Sequence, residues 1–119
     1  MSEHPIAARW RAVQGEHRAA LIPYLTAGFP TPAGGVAALR MVEAAGADIV
    51  EVGVPFSDPL ADGVTIQRST QAALDRGMTA ARVLDLIHQA GLRIPVVIMT
   101  YLNPVLAYGM ERFLVDAHA

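Results

Sequence analysis

The 119-residue chain contains no cysteine. Disulfides and thiolate metal sites are therefore excluded, and a reducing compartment is compatible with the composition. Charge is scarce: 17% of residues are charged and the formal net charge is −2. The basic residues are scattered without a cationic stripe, which argues against nucleic acid or an anionic membrane as a partner. No apolar run approaches the ~20 residues that a spanning helix needs. Met1–Glu16 mixes Glu3, His4, Arg9 and Arg11 with apolar residues, unlike the continuous apolar core of a secretory signal. A cytoplasmic protein is expected. His4, His17, His88 and His118 lack ligand spacing, so no metal site is expected. A Gly-x-Gly-x-x-Gly turn after the first strand is missing and so is a P-loop, which removes the main support for dinucleotide or nucleotide-phosphate binding.

What the chain does have is a high hydrophobic content, 53%, and enough length for one domain with a core. Three apolar runs, Leu21–Ala27, Ala47–Gly53 and Ile94–Tyr101, have the length of buried strands. Helical segments alternate with them. Thr31-Pro32 supplies a cap and a first-turn proline for a helix ending at Gly46. A second helix is expected over Thr65–Arg76, with Ile66, Thr70, Ala73 and Leu74 on one face and Gly77 closing it. A third is expected over Thr79–Ala90, with Val83, Leu84, Ile87 and Ala90 inward and Gly91 as its stop. Ile6–His17 is a weakly patterned initial helix. Asn103-Pro104 opens a short turn, and Gly109 precedes a last helical stretch, Met110–Ala119.

This alternation argues for an α/β protein with parallel strands under helices. The pattern alone leaves barrel and open sheet undecided. A (β/α)8 barrel needs ~250 residues, and three strands are present. A three-stranded parallel sheet also leaves edges unpaired. In the last segment, Phe113, Leu114 and Ala117 begin an apolar face that no Gly or Pro closes. Residues 1–119 are accordingly expected to be the N-terminal part of a single larger barrel domain.

Two carboxylates stand out. Glu51 lies near the end of the second strand, sharing a face with Ile49 and Gly53, whereas Asp48, Val50 and Val52 share the other. A charged carboxylate inside an Ile/Val strand is costly to bury. It is either a strand-end residue paired with a neighbour or solvent, or a general acid/base whose pKa burial raises. Active sites in barrels of this kind lie at the C-terminal strand ends, which favours the second role. Asp62 sits in the following loop, where it either caps the next helix or joins Glu51 on a bound molecule; Asp58-Pro59 offers a similar cap. Tyr24, Met99 and Tyr101 fall on the first and third strands, and core packing accounts for them on pattern alone.

The blocks Pro23–Gly28, Gly46–Gly53, Pro55–Gly63 and Met99–Pro104 resemble successive blocks of the tryptophan synthase alpha chain family, in the family's order. The resemblance runs from residue 21 to residue 113, and the block Pro-Phe-Ser-Asp-Pro-Leu-Ala-Asp-Gly is its most specific part. It implies a (β/α)8 TIM barrel, here its first three βα units. It also implies a lyase of tryptophan biosynthesis that cleaves indole-3-glycerol phosphate to indole and glyceraldehyde 3-phosphate by a retro-aldol reaction. By the same resemblance Glu51 and Asp62 are catalytic. Asp62 would stabilise positive charge at the ring nitrogen once carbon 3 is protonated, and Glu51 would move protons, including one from the glycerol hydroxyl. Tyr24 and Met99 match positions lining the indole pocket, and Thr65 and Tyr101 match neighbours of the site. Pro55, Asp58 and Asn103 match the side facing a beta subunit, with an alpha2beta2 heterotetramer implied. Pyridoxal phosphate is implied in that beta subunit only. Val64 departs from the family, which usually has Pro there. The phosphate-binding elements of the later strands are missing from these 119 residues, so this segment alone is expected to be inactive. The alternatives are a stand-alone indole-3-glycerol-phosphate lyase, a truncated chain that only contacts the beta subunit, and an inert fragment.

Overall fold

Thr31 has an extended backbone, and its side-chain oxygen accepts a hydrogen bond from the Gly34 N–H at 2.9 Å. Pro32 fills the first turn, where its missing N–H costs nothing. These two residues start α2, Pro32–Ala44. Thr79 caps α4, Ala80–Ala90, in the same way through the Arg82 N–H at 3.2 Å. Gly91 ends that helix with φ of 61°, in the left-handed region that favours glycine. Caps of this kind are worth ~1 kcal/mol each. The helices and strands that the sequence pattern predicts therefore form, within a few residues of their expected limits.

The computed structural model describes residues 2–119. The remaining elements are α1 (Pro5–Gly15), β1 (Tyr24–Thr26), β2 (Val50–Gly53), α3 (Val64–Asp75), β3 (Val96–Met99), α5 (Leu102–Tyr108) and α6 (Met110–His118). All three strands are parallel and pair in the order β1-β2-β3. The strands are shorter than the apolar runs that contain them, because only the central residues of each run join the ladder. Asn103-Pro104 starts a helix and not merely a turn: α5 opens at Leu102 with Pro104 inside its first turn.

The register sorts side chains onto two faces. Leu25, Val52 and Ile98 are partners on one face. That face packs against α2 and α4, and Val50, Val52, Leu39 and Val83 are all 1% exposed or less. Burial of each such side chain contributes ~1.5–3 kcal/mol, which makes this helix side the core. Leu86 also enters it, a residue that the inward face read from α4 omits.

Tyr24, Glu51 and Val97 are partners on the opposite face, followed by Thr26, Gly53 and Met99. Among the described residues this second face is covered only at its Thr26–Gly53 end, where Ser69 of α3 meets Thr26, and Val97 is 38% exposed in its strand. The radius of gyration is 14.6 Å, above the ~13.5 Å expected of a compact chain of this length. Of the apolar face expected on α6, Phe113 alone is buried, against Leu84 and Val105; Leu114 is 62% exposed.

The N-terminal end of the sheet is pinned by a buried carboxylate. Asp48, 2% exposed, accepts both guanidinium N–H groups of Arg18 at 2.7 Å and the Leu21 N–H at 2.8 Å. The Arg18 guanidinium and this backbone bond hold the Asp48 carboxyl well below the usual carboxylate range. Arg18 also bonds Glu16, so the segment after α1 is tied to the base of β2.

Candidate active site at the C-terminal strand ends

The largely uncovered face of the sheet ends in a cavity of about 200 Å³ lined by Tyr24, Val54, Ala61, Asp62, Thr70, Met99, Thr100 and Tyr101. Tyr24 opens β1, Met99 ends β3 and Asp62 lies in the loop after β2, so three successive strand units converge on one space. Four of the residues singled out from sequence, Tyr24, Asp62, Met99 and Tyr101, are thus brought together. Val54, Ala61, Thr70 and Thr100 join them; Thr70 belongs to the helix face read as inward, and none of the four was singled out as a site residue.

Glu51 lies on the same sheet face, directly beside Tyr24 in the β1–β2 register, but outside the cavity wall. It is half-buried. Among the described residues no hydrogen bond or ion pair occupies the carboxylate of Glu51 or of Asp62. The capping role considered for Asp62 is not realised: Gly63 is the N-cap of α3 and no side chain caps it. After Asp58 the chain turns through a backbone bond from the Leu60 N–H to the Asp58 carbonyl at 2.8 Å. Thr65 lies in the exposed first turn of α3 and does not line the cavity. Asp58 and Asn103 are exposed, whereas Pro55 is buried at the base of its loop.

Tyr24 is held by a chain of hydroxyls that leaves little freedom in proton direction. Ser69 donates to the Ile66 carbonyl at 2.9 Å, so its oxygen accepts from Thr26 at 2.7 Å. The Thr26 oxygen then accepts from Tyr24 at 3.3 Å. Burial pushes the Tyr24 hydroxyl above its ordinary pKa, and the charges of Asp62 and Glu51 act in the same direction. Both carboxylates thus favour the neutral form of this tyrosine. Its ring lies over Gly53, where an added Cβ would sit 2.0 Å from the tyrosine oxygen. Gly53 is thus required by the close approach of Tyr24, which a strand pattern does not reveal.

The loop between β2 and α3 carries Asp62 and is fastened to its surroundings. Phe56 packs on the Tyr101 ring with centroids 5.3 Å apart. The Tyr101 hydroxyl accepts the Ala61 N–H at 2.9 Å, and the Gln67 side chain donates to the Asp62 carbonyl at 2.9 Å. Among the described residues, no group of three or more His, Cys, Asp or Glu residues is arranged to hold a metal ion. Nor is any described helix long and apolar enough to cross a membrane.

Residues 10–119 match the family model described as tryptophan synthase alpha chain. A curated relative of that name from Nitratidesulfovibrio vulgaris is 50% identical over 98% of this chain and 46% of its own length. The solved structure of tryptophan synthase subunit alpha from Legionella pneumophila aligns with a TM-score of 0.94 at 34% identity, covering 98% of this chain and 45% of the other. Tryptophan synthase from M. tuberculosis, in its aminoacrylate-bound form, aligns with a TM-score of 0.89 at 42% identity over 98% of this chain and 48% of the other. This chain therefore spans about half the length of the relatives it matches. Those structures are TIM barrels, and the three parallel strands with their helices correspond to part of one.

Proposed function

The chain belongs to the tryptophan synthase alpha chain family, and from that premise we propose that the full-length protein is a lyase cleaving indole-3-glycerol phosphate to indole and glyceraldehyde 3-phosphate. The observation that carries the proposal is the convergence of Asp62, Tyr24, Met99 and Tyr101 on one cavity at the strand ends, with Glu51 on the adjoining sheet face.

The chemistry follows from these positions. A proton added at indole carbon 3 leaves positive charge on the ring nitrogen, and an unpaired Asp62 carboxylate at the cavity wall stabilises it. Removal of the proton from the hydroxyl on the attached glycerol carbon turns that C–O bond into a carbonyl. The carbon–carbon bond then breaks and its electrons return to the ring. Glu51, with no protein partner, serves as the base for this step. Met99 and the rings of Tyr24 and Tyr101 supply an apolar slot for the indole. Thr65 acts from the rim of the site and not from its wall.

Asp58 and Asn103 are exposed on the two segments that follow β2 and β3 and are proposed to meet a beta subunit in an alpha2beta2 assembly; Pro55, assigned to the same side by the resemblance, is buried in this chain. Pyridoxal phosphate belongs to that beta subunit in this proposal, and the chain described here takes no cofactor. A cytoplasmic location belongs to the same proposal and suits a biosynthetic enzyme.

The test is a hybrid in which this segment replaces the matching part of the full-length Nitratidesulfovibrio vulgaris relative. The hybrid is expected to release indole from indole-3-glycerol phosphate and to be accelerated by beta subunit, whereas residues 1–119 alone release none. A folded hybrid without cleavage activity would sink the proposal.

A further inference from the structure

The loop from Pro55 to Gly63 contains two internal backbone bonds, Leu60 N–H to the Asp58 carbonyl at 2.8 Å and Asp62 N–H to the Pro59 carbonyl at 3.1 Å. These fold the loop on itself but do not attach it to the sheet. Leu60, at its tip, is 91% exposed and contributes no anchorage. Attachment comes from two side chains outside the loop. The Tyr101 hydroxyl, at the end of β3, accepts the Ala61 N–H at 2.9 Å. Gln67, in the second turn of α3, donates to the Asp62 carbonyl at 2.9 Å and reaches the Pro59 carbonyl at 3.4 Å. The two ties bracket the backbone from the Ala61 nitrogen to the Asp62 carbonyl. The Asp62 carboxylate has no bond of its own, so its aim is set by the backbone between them.

We infer that Tyr101 and Gln67 are positioning residues that act as a two-point latch on the Asp62 loop. The inference rests on the role given to Asp62 above. Tyr101 does this with one group while its ring packs on Phe56 at the start of the loop, so a single side chain fastens both ends of the segment. Gln67 completes the hold from the helix side. Displacing a reacting group by about 1 Å is enough to lower turnover severely, and the apolar packing of the loop lies at its Pro55–Phe56 start, away from Asp62.

The experiment uses Tyr101→Phe and Gln67→Met in the hybrid protein, with Gln71→Met one turn further along α3 as the control. Phe keeps the ring against Phe56 and removes the hydroxyl; Met keeps the length of Gln67 and removes the donor. Each latch variant is expected to lower kcat about five- to tenfold while KM stays within about twofold, the scale of one lost hydrogen bond. Amide hydrogen exchange at Ala61 is expected to accelerate at least about fivefold in Tyr101→Phe, and Gln71→Met is expected to change neither reading. Unchanged kcat in both variants overturns the latch, and so does a fall in kcat with Ala61 exchange unaltered. Should the unsubstituted hybrid cleave nothing, the lyase reading fails separately and the exchange measurement decides the latch: acceleration supports it and no change overturns it.

Discussion

Two carboxylates, one just before β2 and one within it, stand in opposite circumstances. Asp48, at the base, is buried and meets Arg18 and the Leu21 N–H with both of its oxygens. Among the described residues the Glu51 carboxylate, three residues on, has neither counter-ion nor hydrogen bond, and the same holds for the Asp62 carboxylate. A buried carboxylate needs its compensation built into the fold, because an uncompensated one is strongly destabilising. Carboxylates left open at a cavity are compensated by something that arrives. The contrast separates an acid that holds the chain together from acids left open, to which the proposed function assigns a ligand.

The sharpest way to break this comparison is to neutralise each acid in turn. In the hybrid protein, Glu51→Gln is expected to cut kcat/KM by ~10²- to 10³-fold, with little change in melting temperature. Steady-state kinetics with thermal melting would expose the error if turnover survived. Asp48→Asn is expected to do the reverse, lowering the melting temperature while activity per folded molecule stays within about twofold, since polar groups far from the reacting atoms contribute little to the barrier.

Acid sharpens the same contrast. The Asp48 carboxyl is held below its ordinary range, so its contribution to stability is complete above about pH 4 and is lost as pH falls further towards the folded-state value. The gap in stability between the unsubstituted protein and Asp48→Asn should therefore be flat from neutral pH down to about pH 4 and narrow below it. Denaturant titrations across that range would show whether it does.

A smaller effect is expected at Gly53. Alanine there forces the Tyr24 ring aside, and a disturbance of that size corresponds to about a tenfold rise in KM, with kcat less affected. A kcat loss at constant KM would mean that Tyr24 serves the chemistry and not the fit. The smallest effect belongs to Val64, the first residue of α3 and 64% exposed. Proline suits that position, so Val64→Pro is expected to stabilise the protein by about 0.4–1 kcal/mol in denaturant melts.

Local features of this molecule were readable from its sequence. Thr31, Thr79, Pro32 and Gly91 act through neighbours one turn away, and the alternation within β2 announces which side Glu51 faces. Contacts between distant residues were not. Arg18 and Asp48 are 30 positions apart, Thr26 and Ser69 are 43 apart, and Ala61 and Tyr101 are 40 apart. Nothing in the pattern around Asp48 distinguishes it as the better-buried acid. Thr65 shows the converse: the resemblance of whole blocks marks it as a neighbour of the site, and here it is exposed in the first turn of α3, outside the cavity wall. The identity of the site came from the resemblance of whole blocks; the physical reading of single residues supplied only candidates.

The strand order β1-β2-β3 also bears on how the protein is made. Each strand lies beside the one synthesised before it, so a nascent chain leaving the ribosome adds one unit at a time without waiting for a distant partner. The helix-side core closes early in that sequence. The face carrying Tyr24, Glu51 and Met99 gains no cover from these units and stays wet while the helix-side core forms.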